Sequence, residues 1–435
     1  MHPDDTRYKE WKHGQKIEVE WINGPITATI IKDEATDMEF GTGVMTITPW
    51  HSVVDFDIAE KHGLDKEQII DWYGKLLPIA GEFAGMKIAD AREKIVEKLA
   101  SKGLVEKIED YTHNVATAER TSGMVEPQIK LQWFVDVKKK AKDGKSLKEM
   151  MLEAVESGET KFLVERYEKT YLNWVRNLRD WCISRQIWFG HRIPVWYKND
   201  ETKVQIENPG AGWVQDEDVL DTWFSSSLWT LSTLGWPEET DDFKKYHPTA
   251  LIETGYDIIP LWVSRMVMMS KFHTGHVPFK TIYIHGLVRD GQGRKISKSL
   301  GNNIDPVDMA GKYGMDAVRT ALIMGMAPGT DSRIDENKIR GYKNFSNKIW
   351  NIARFVLENA EGQDVKTKPA LNADDAKDIE DLNATIAEVT KQMNDYRLDL
   401  AADAAYHYIW HTFADVVIEK SKAALKGDDA EAKQR

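Results

Sequence analysis

Two short apolar runs, residues 250–253 and 281–288, flank a stretch from Ile258 to Phe272 with helical character. Strand, helix, strand in that order needs a crossover, and strands joined by a crossover of a dozen or more residues run parallel. Parallel strands are covered on both faces and read as continuous apolar runs, as these do. The pattern therefore predicts a buried parallel sheet with a helix packed on it, within an α/β architecture.

The rest of the chain does not repeat that pattern. At 435 residues it is too long for one core, so two to four domains are expected. Residues 17–31 alternate around Asn23-Gly24-Pro25 and predict a hairpin. Residues 40–48, FGTGVMTIT, predict a further strand. Asp55 to His62 turns helical and stops at Gly63, and residues 86–102 carry Met86, Ile88, Ala91, Ile95 and Leu99 at helical spacing, closed by Gly103. Residues 157–197 are aromatic and basic, with a helix around Tyr171–Arg179, and 198–212 form a polar insertion. From Glu336 onward the chain reads as helix only. Ile379, Leu382, Ile386, Val389, Met393 and Tyr396 form one stripe and Ala405, Ile409, Trp410, Phe413 and Val417 another, which predicts two long antiparallel helices.

Cys182 is the single cysteine, which excludes an internal disulfide and a multi-cysteine zinc site. No apolar run is long enough to span a bilayer, and MHPDDTRYKE has no signal-peptide core, so no membrane association and a cytoplasmic protein are expected. The 16 tryptophans suggest large packed interfaces or stacking pockets. The net charge of −12 argues against a generally basic nucleic-acid binder but leaves room for a local stripe. Lys138, Lys139, Lys140, Lys142, Lys145 and Lys148 form one such run, and a solvated face explains it at least as well.

The segment Gly293-Arg294-Lys295-Ile296-Ser297-Lys298-Ser299-Leu300-Gly301-Asn302 places two lysines three apart among serines and glycines. Ammonium groups on such a loop suit the charge that builds on a leaving diphosphate. Alone, the run reads more simply as a solvated turn. Its surroundings, TIYIHGLVRDGQGRKISKSLGNNIDP (281–306), resemble the KMSKS signature of class I aminoacyl-tRNA synthetases, with Ile296 in the Met position. Five further segments are similar to the valyl branch of that group. They are TGYDIIPLWVSRM (254–266), RTSGMVEPQIKLQWFV (120–135), NLRDWCISRQIWFGHRIPVWY (177–197), DEDVLDTWFSSSLW (216–229) and GTGVMTITPWHSVVDFDIAEKHGL (41–64). The opening HPDDTRY fits the same branch.

The resemblance implies an α/β multidomain protein. Residues 1–118 would be part of a β-barrel-like editing domain, 119–330 the second half of a Rossmann-like catalytic domain, and 331–435 part of an all-α anticodon-binding bundle. It implies ATP-dependent activation of valine with Mg²⁺, transfer to tRNA(Val), and hydrolytic editing of mischarged threonine. Lys295 and Lys298, with Ser297 and Ser299, would contact the phosphates. Asp257 would hold the adenosine ribose, Gly255 would admit the backbone approach, and His285 and Gly286 would lie by the adenine. Trp223, Ile258 and Trp262 would line the valine pocket; Ile258 and Trp262, four apart, would share a helix face, a spacing that more often marks plain core. An apolar branched pocket cannot strongly reject an isostere with one added hydroxyl, hence the editing site. There Asp55 would bind the α-ammonium, with Thr42, Gly43 and His51 nearby. From local pattern alone, Asp55 and Asp257 each also read as helix N-caps. Thr46 and Ser52 stand where many valyl enzymes carry Lys and Asp, which predicts weaker threonine editing.

Residues 198–212 contain neither Cys nor His, so no zinc is expected there, nor another metal centre. Arg340, Lys343, Lys348, Trp350 and Arg354 are candidates to face tRNA, with a solvated helix surface the better reading of each singly. The HIGH-type motif of the group is absent from these residues, so an incomplete chain, inactive in isolation, is expected, whether from a gene fragment, a misplaced start or a split gene whose N-terminal half is a separate partner. Alternatives are a non-catalytic tRNA-binding or split-enzyme subunit, or an isoleucyl relative, the last disfavoured by Gly255-Tyr256-Asp257-Ile258 and GHRIPVWY.

Overall fold

The computed structural model describes residues 1–118, 121–141, 143–296, 301–362, 369–429 and 432–433. The chain forms two compact units, Met1–Leu131 and Gln132–Arg435.

In the first unit, Lys16–Trp21 pairs antiparallel with Gly24–Thr29, in register from Lys16↔Thr29 to Trp21↔Gly24. This is the expected hairpin, turned at Asn23-Gly24, where Gly24 has φ +121°. The expected strand over 40–48 does not form. Among the described residues the segment has no neighbouring strand to pair with, and the Thr48 N–H donates instead to the Asp55 carboxylate at 2.8 Å. The following helix spans Val53–His62: the Ser52 side chain caps it by accepting from Asp55 N, and left-handed Gly63 ends it. Asp55 is thus inside the first turn and is not the cap. The second helix, Ile88–Ser101, closes as its spacing predicts. Apart from isolated bridges at Ile70↔Leu76, Lys75↔Lys87 and Thr117↔Met124, the hairpin is the only sheet among the described residues of this unit, and no barrel is closed.

The second unit is built on a three-stranded parallel sheet with Phe279–His285 at its centre. Thr249–Gly255 lies on one side, in register from Thr249↔Phe279 to Gly255↔His285, and Lys161–Phe162 on the other. Ile252, Phe279, Ile282 and Ile284 are buried, packed with Ile259, Val263, Met266 and Val267 of the crossover and with Met150, Met151, Tyr171 and Val175 of the helices Leu147–Glu156 and Glu165–Arg176. The crossover departs from the expected regular helix. Tyr256–Ile258 is a 3₁₀ turn and Ile259–Val263 a π turn, and the α-helix begins only at Ser264 and runs to Thr274. Pro260 contributes no N–H to a helical ladder, and its ring crowds the preceding turn. The second apolar run is also split. The central strand stops at His285, and Val288–Arg289 pairs instead with Ser332–Arg333.

The polar insertion folds as a small antiparallel sheet of Val195–Lys198, Glu201–Val204 and Val214–Gln215. The C-terminal part contains Glu336–Ala360, then Ala373–Asn394 behind an Asn372 capping box, then Leu398–His407 continuing through a π segment, Tyr408–Ile418, into Glu419–Lys426. Lys420 pairs with Asp378 near the far end of the preceding helix, so these two rods run antiparallel, as expected. Ile379, Ile386 and Met393 of the predicted packing stripe remain exposed. Among the described residues no helix is long and apolar enough to cross a membrane.

Candidate functional site

Open parallel sheets take ligands outside the carboxyl ends of their strands. Here that edge carries Gly255 and His285 side by side. A Cβ on Gly255 would lie 2.8 Å from Asp257 Oδ1 and 3.6 Å from His285 Cε1, so glycine is what allows the Asp257 carboxylate to fold back over the strand end. Asp257 is exposed within the 3₁₀ turn, and neither that turn nor the π turn after it has a side-chain cap, so Asp257 is not an N-cap. His285 sits between two acceptors, with Nδ1 2.6 Å from Gly286 O and Nε2 3.2 Å from Glu253 Oε1.

Gly286 explains why the central strand ends where it does. A Cβ there would stand 2.1 Å from the Thr330 carbonyl carbon and oxygen and 2.4 Å from Asp331 N. The chain leaves the sheet by pressing its bare backbone against residues 330–331. Asp331 locks that approach: it accepts from Leu287 N at 2.8 Å and from Arg289 Nε at 2.5 Å. The Leu287 N–H first, and Arg289 second, hold its carboxyl below the usual range. Tyr167 donates to Gly329 O at 2.7 Å and stacks on Tyr256 at 5.8 Å, which ties the same segment to the turn after Gly255.

The three expected pocket residues fall in two places. Trp262 donates from Nε1 to Ser226 O at 3.1 Å, so it lies against the short helix Thr222–Ser226 that carries Trp223. Both rings are partly buried on the main core. Ile258 is half-buried in the 3₁₀ turn. The shared α-helical face expected for Ile258 and Trp262 does not exist, because a 3₁₀ turn passes into a π turn between them. Behind the tryptophans lies a network that the residue pattern did not single out. Asp221 caps the short helix and accepts from Arg185 Nη2 at 2.9 Å and from Trp181 Nε1 at 3.3 Å. The buried Arg265 guanidinium lies 4.0 Å over the Trp181 ring and 4.9 Å over Trp174. Burial lowers its pKa to about 10, opposed by the charge of Asp221.

Lys295 is exposed and bridged through its backbone to Arg289, just beyond the sheet edge. Ser297, Lys298 and Ser299 lie outside the described residues.

In the first unit, the Asp55 carboxylate is buried and engaged with Thr48 N. His51 accepts from Ile69 N at 3.0 Å and Ile70 N at 3.1 Å through Nε2, which leaves Nδ1 as the donor to Pro127 O at 3.2 Å. Thr42 O accepts from Tyr8 at 2.7 Å. Gly43, at φ +73°, packs on the Asp5–Arg7 ion pair, where a Cβ would meet Arg7 Nη2 at 2.3 Å. Thr46 lines a cavity of about 660 Å³ together with Ile17, Val19, Ile30, Asp33 and Ile58.

The basic stretches are largely engaged within the protein. Lys140 pairs with Glu149, Lys145 with Glu153 at 2.6 Å, and Lys148 donates to Arg176 O at 2.5 Å; Lys142 lies outside the described residues. Lys348 pairs with Asp415 at 2.8 Å, Arg354 approaches Glu358 at 3.5 Å, Arg340 donates to Asn337 at 2.7 Å and Lys343 to Lys312 O at 3.4 Å, while Trp350 is exposed. Among the described residues no three His, Cys, Asp or Glu side chains are placed to hold a metal.

Residues 7–214 and 205–335 match the family described as tRNA synthetases class I (I, L, M and V). The chain belongs to the class I tRNA synthetases. Residues 377–435 match the anticodon-binding domain of tRNA ligase. The chain is 42% identical to the valine–tRNA ligase of Clostridium tetani over 100% of its own length and 49% of that protein. It is 44% identical to the valine–tRNA ligase of Thermotoga maritima over 99% of its own length and 50% of that protein. The chain thus spans about half the length of the curated relatives it matches. The methionyl-tRNA synthetase of Mycobacterium tuberculosis bound by methionyl-adenylate superposes with a TM-score of 0.56 at 21% identity, over 74% of this chain and 59% of that one, and so shares the synthetase fold.

Proposed function

We propose that this chain supplies the KMSKS half of a valine–tRNA ligase that acts in the cytoplasm. The observation that carries the reading is its end-to-end match to valine–tRNA ligases; the glycine-floored edge formed by Gly255, Asp257, His285 and Gly286 gives that match a chemical site. Valine's carboxylate attacks the α-phosphate of ATP, the bond to the leaving diphosphate breaks, and valyl-adenylate forms. A ribose hydroxyl at the tRNA(Val) terminus then takes the acyl group and adenylate leaves. This chemistry needs positioning and charge compensation more than covalent help from the protein. Asp257 accepts hydrogen bonds from the ribose, His285 and Gly286 border the adenine, and Lys295, with Ser297, Lys298 and Ser299, follows charge onto the diphosphate. Trp223, Ile258 and Trp262 border the valine side chain. Mg²⁺ would arrive on the nucleotide.

In this reading residues 1–118 belong to a barrel-like editing domain, with Asp55, His51, Thr42 and Gly43 at its site, residues 119–330 to the catalytic domain and 331–435 to the anticodon-binding part. Weak threonine editing is part of this reading, because the Ser52 hydroxyl caps a helix and brings no charge to the threonine side chain. The test is aminoacylation by the complete gene product: valine should be esterified to tRNA(Val), and isoleucine in its place would reassign the protein.

One feature favours a second reading, in which this chain works only as one part of an assembly. Trp188 is 97% and Phe189 87% exposed at the tip of a loop whose stem is fixed by Leu220 N to His191 O at 2.7 Å and Gln186 to Asp218 at 2.7 Å. Rigidly held aromatics in water mark surfaces that a partner covers. This chain alone should then show no adenylate formation, and adding the N-terminal half should restore it. Full activity of the chain alone would remove that reading.

A further inference from the structure

Asp290 lies outside every role assigned above, yet it is the most heavily bonded carboxylate at the catalytic edge. It is 7% exposed, while Arg294 and Lys295 beside it are exposed. Its backbone closes a tight turn: Gly293 N donates to Asp290 O at 2.8 Å and Asp290 N to Arg294 O at 3.1 Å, with Gly293 at φ +80°. Its Oδ1 accepts from Gln292 N at 3.0 Å and Arg294 N at 2.8 Å. Its Oδ2 accepts from Arg294 Nε at 2.8 Å and from Asn302 Nδ2 at 3.0 Å. The same Asn302 amide donates to the Lys295 carbonyl at 3.1 Å. One buried charge therefore joins residues on both sides of the lysine-serine stretch. It is linked through Asn302 to the backbone of the lysine itself, whose other backbone tie is the bridge to Arg289.

We infer that Asp290 is a positioning residue for Lys295: it fixes the neck of the 293–302 segment through Arg294 and Asn302, so that the Lys295 ammonium is presented to the phosphates. The inference rests on the adenylate-forming reading of this edge. The division of labour is visible in the charges. Asp290 is matched by Arg294, whereas among the described residues the Lys295 ammonium has no partner of its own. The Asn302 amide first, and Arg294 next, hold the Asp290 carboxyl well below the usual range, so its charge persists wherever the enzyme works. Charge-assisted hydrogen bonds are short and orienting, which suits a fixed neck better than a neutral amide would. Misplacing a catalytic group by about 1 Å costs on the order of 10²-fold in rate.

The test uses the complete gene product carrying Asp290→Asn or Lys295→Ala. Asparagine keeps an oxygen for the two backbone N–H groups but sets its own N–H₂ against Arg294 Nε and the Asn302 amide. Asp290→Asn should lower kcat of valine-dependent ATP–diphosphate exchange by about 10²-fold with KM for valine unchanged. It should also speed tryptic cleavage after Arg294 and Lys295 at an unaltered thermal midpoint. Exchange within about threefold of the parent, with Lys295→Ala strongly impaired, overturns the inference and leaves the catalytic reading standing. Full exchange by Lys295→Ala overturns that reading and this inference with it. Unchanged tryptic cleavage of Asp290→Asn also overturns it, whatever the exchange rate.

Discussion

Between Gln132 and Arg435, order comes from apolar burial: Ile252, Ile282 and Ile284 on one face of a parallel sheet pack with Ile259, Val263 and Met266, while the other face, with exposed Glu253 and half-buried Leu251 and Tyr283, is not closed as the apolar runs predict. Between Met1 and Leu131 a single hairpin cannot do the same, and buried carboxylates hold the loops instead. Asp5 grips Arg7, Asp33 grips Lys61 and His62, each at 2.8 Å, and Asp55 grips Thr48 N. The contrast teaches where each unit is vulnerable. A unit held by an apolar core resists charge and salt but not cavities. Loops stapled by carboxylates tolerate small losses of apolar contact but depend on those groups staying ionised.

The largest expected effect is in the sheet. Met266→Ala should destabilise the second unit by ~2–5 kcal/mol, read from chemical denaturation. A cost below about 1 kcal/mol would mean that its core is not what holds it. Gly286→Ala comes next, at ~1–3 kcal/mol, because its Cβ would collide with the Thr330 backbone. Amide exchange should report loss of the Leu287–Asp331 bond, and continued protection of Leu287 would show that the segments can part freely. Asp33→Asn should cost about 1 kcal/mol and raise exchange around Ala35 within the first unit only. The pH dependence follows the same group. Lys61 first, then Ala35 N and His62, depress the Asp33 carboxyl in the folded state. Its stabilisation is complete above the unfolded carboxyl pKa of about 3.9 and is lost as pH falls further through the depressed value. On acidification below about pH 4 the first unit should therefore loosen before the second; simultaneous loss would erase the contrast. The smallest effect is expected at Lys145, an exposed partner of Glu153. Lys145→Ala should leave the denaturation midpoint and RNA affinity unchanged, and weakened RNA binding would restore the basic-stripe reading.

Much of this was legible in the sequence where period and glycine carry the information. The apolar runs at 250–253 and 281–288 marked the parallel strands, and Asn23-Gly24 marked the hairpin. Gly255 and His285, singled out from separate motifs, lie side by side at the strand ends. Several misses come from partners distant in the sequence. Nothing local tells the 40–48 segment that it lacks a neighbour, or tells residue 286 that Thr330 lies against it. The i, i+4 spacing of Ile258 and Trp262 suggested one α-helical face, and Pro260 in the turn between them was the signal against it. Asp221 and Asp290 lie inside the family-like segments, but only the folded chain brings several donors to each.

The central claim is that the edge bearing Gly255, Asp257, His285 and Lys295 activates valine. The most direct measurement is amino-acid-dependent exchange of labelled diphosphate into ATP by the complete gene product, run with valine, isoleucine and threonine. The account predicts fast exchange with valine, slower exchange with threonine, little with isoleucine, and loss of the valine signal in Lys295→Ala. Exchange that prefers isoleucine, or that survives Lys295→Ala undiminished, would contradict it.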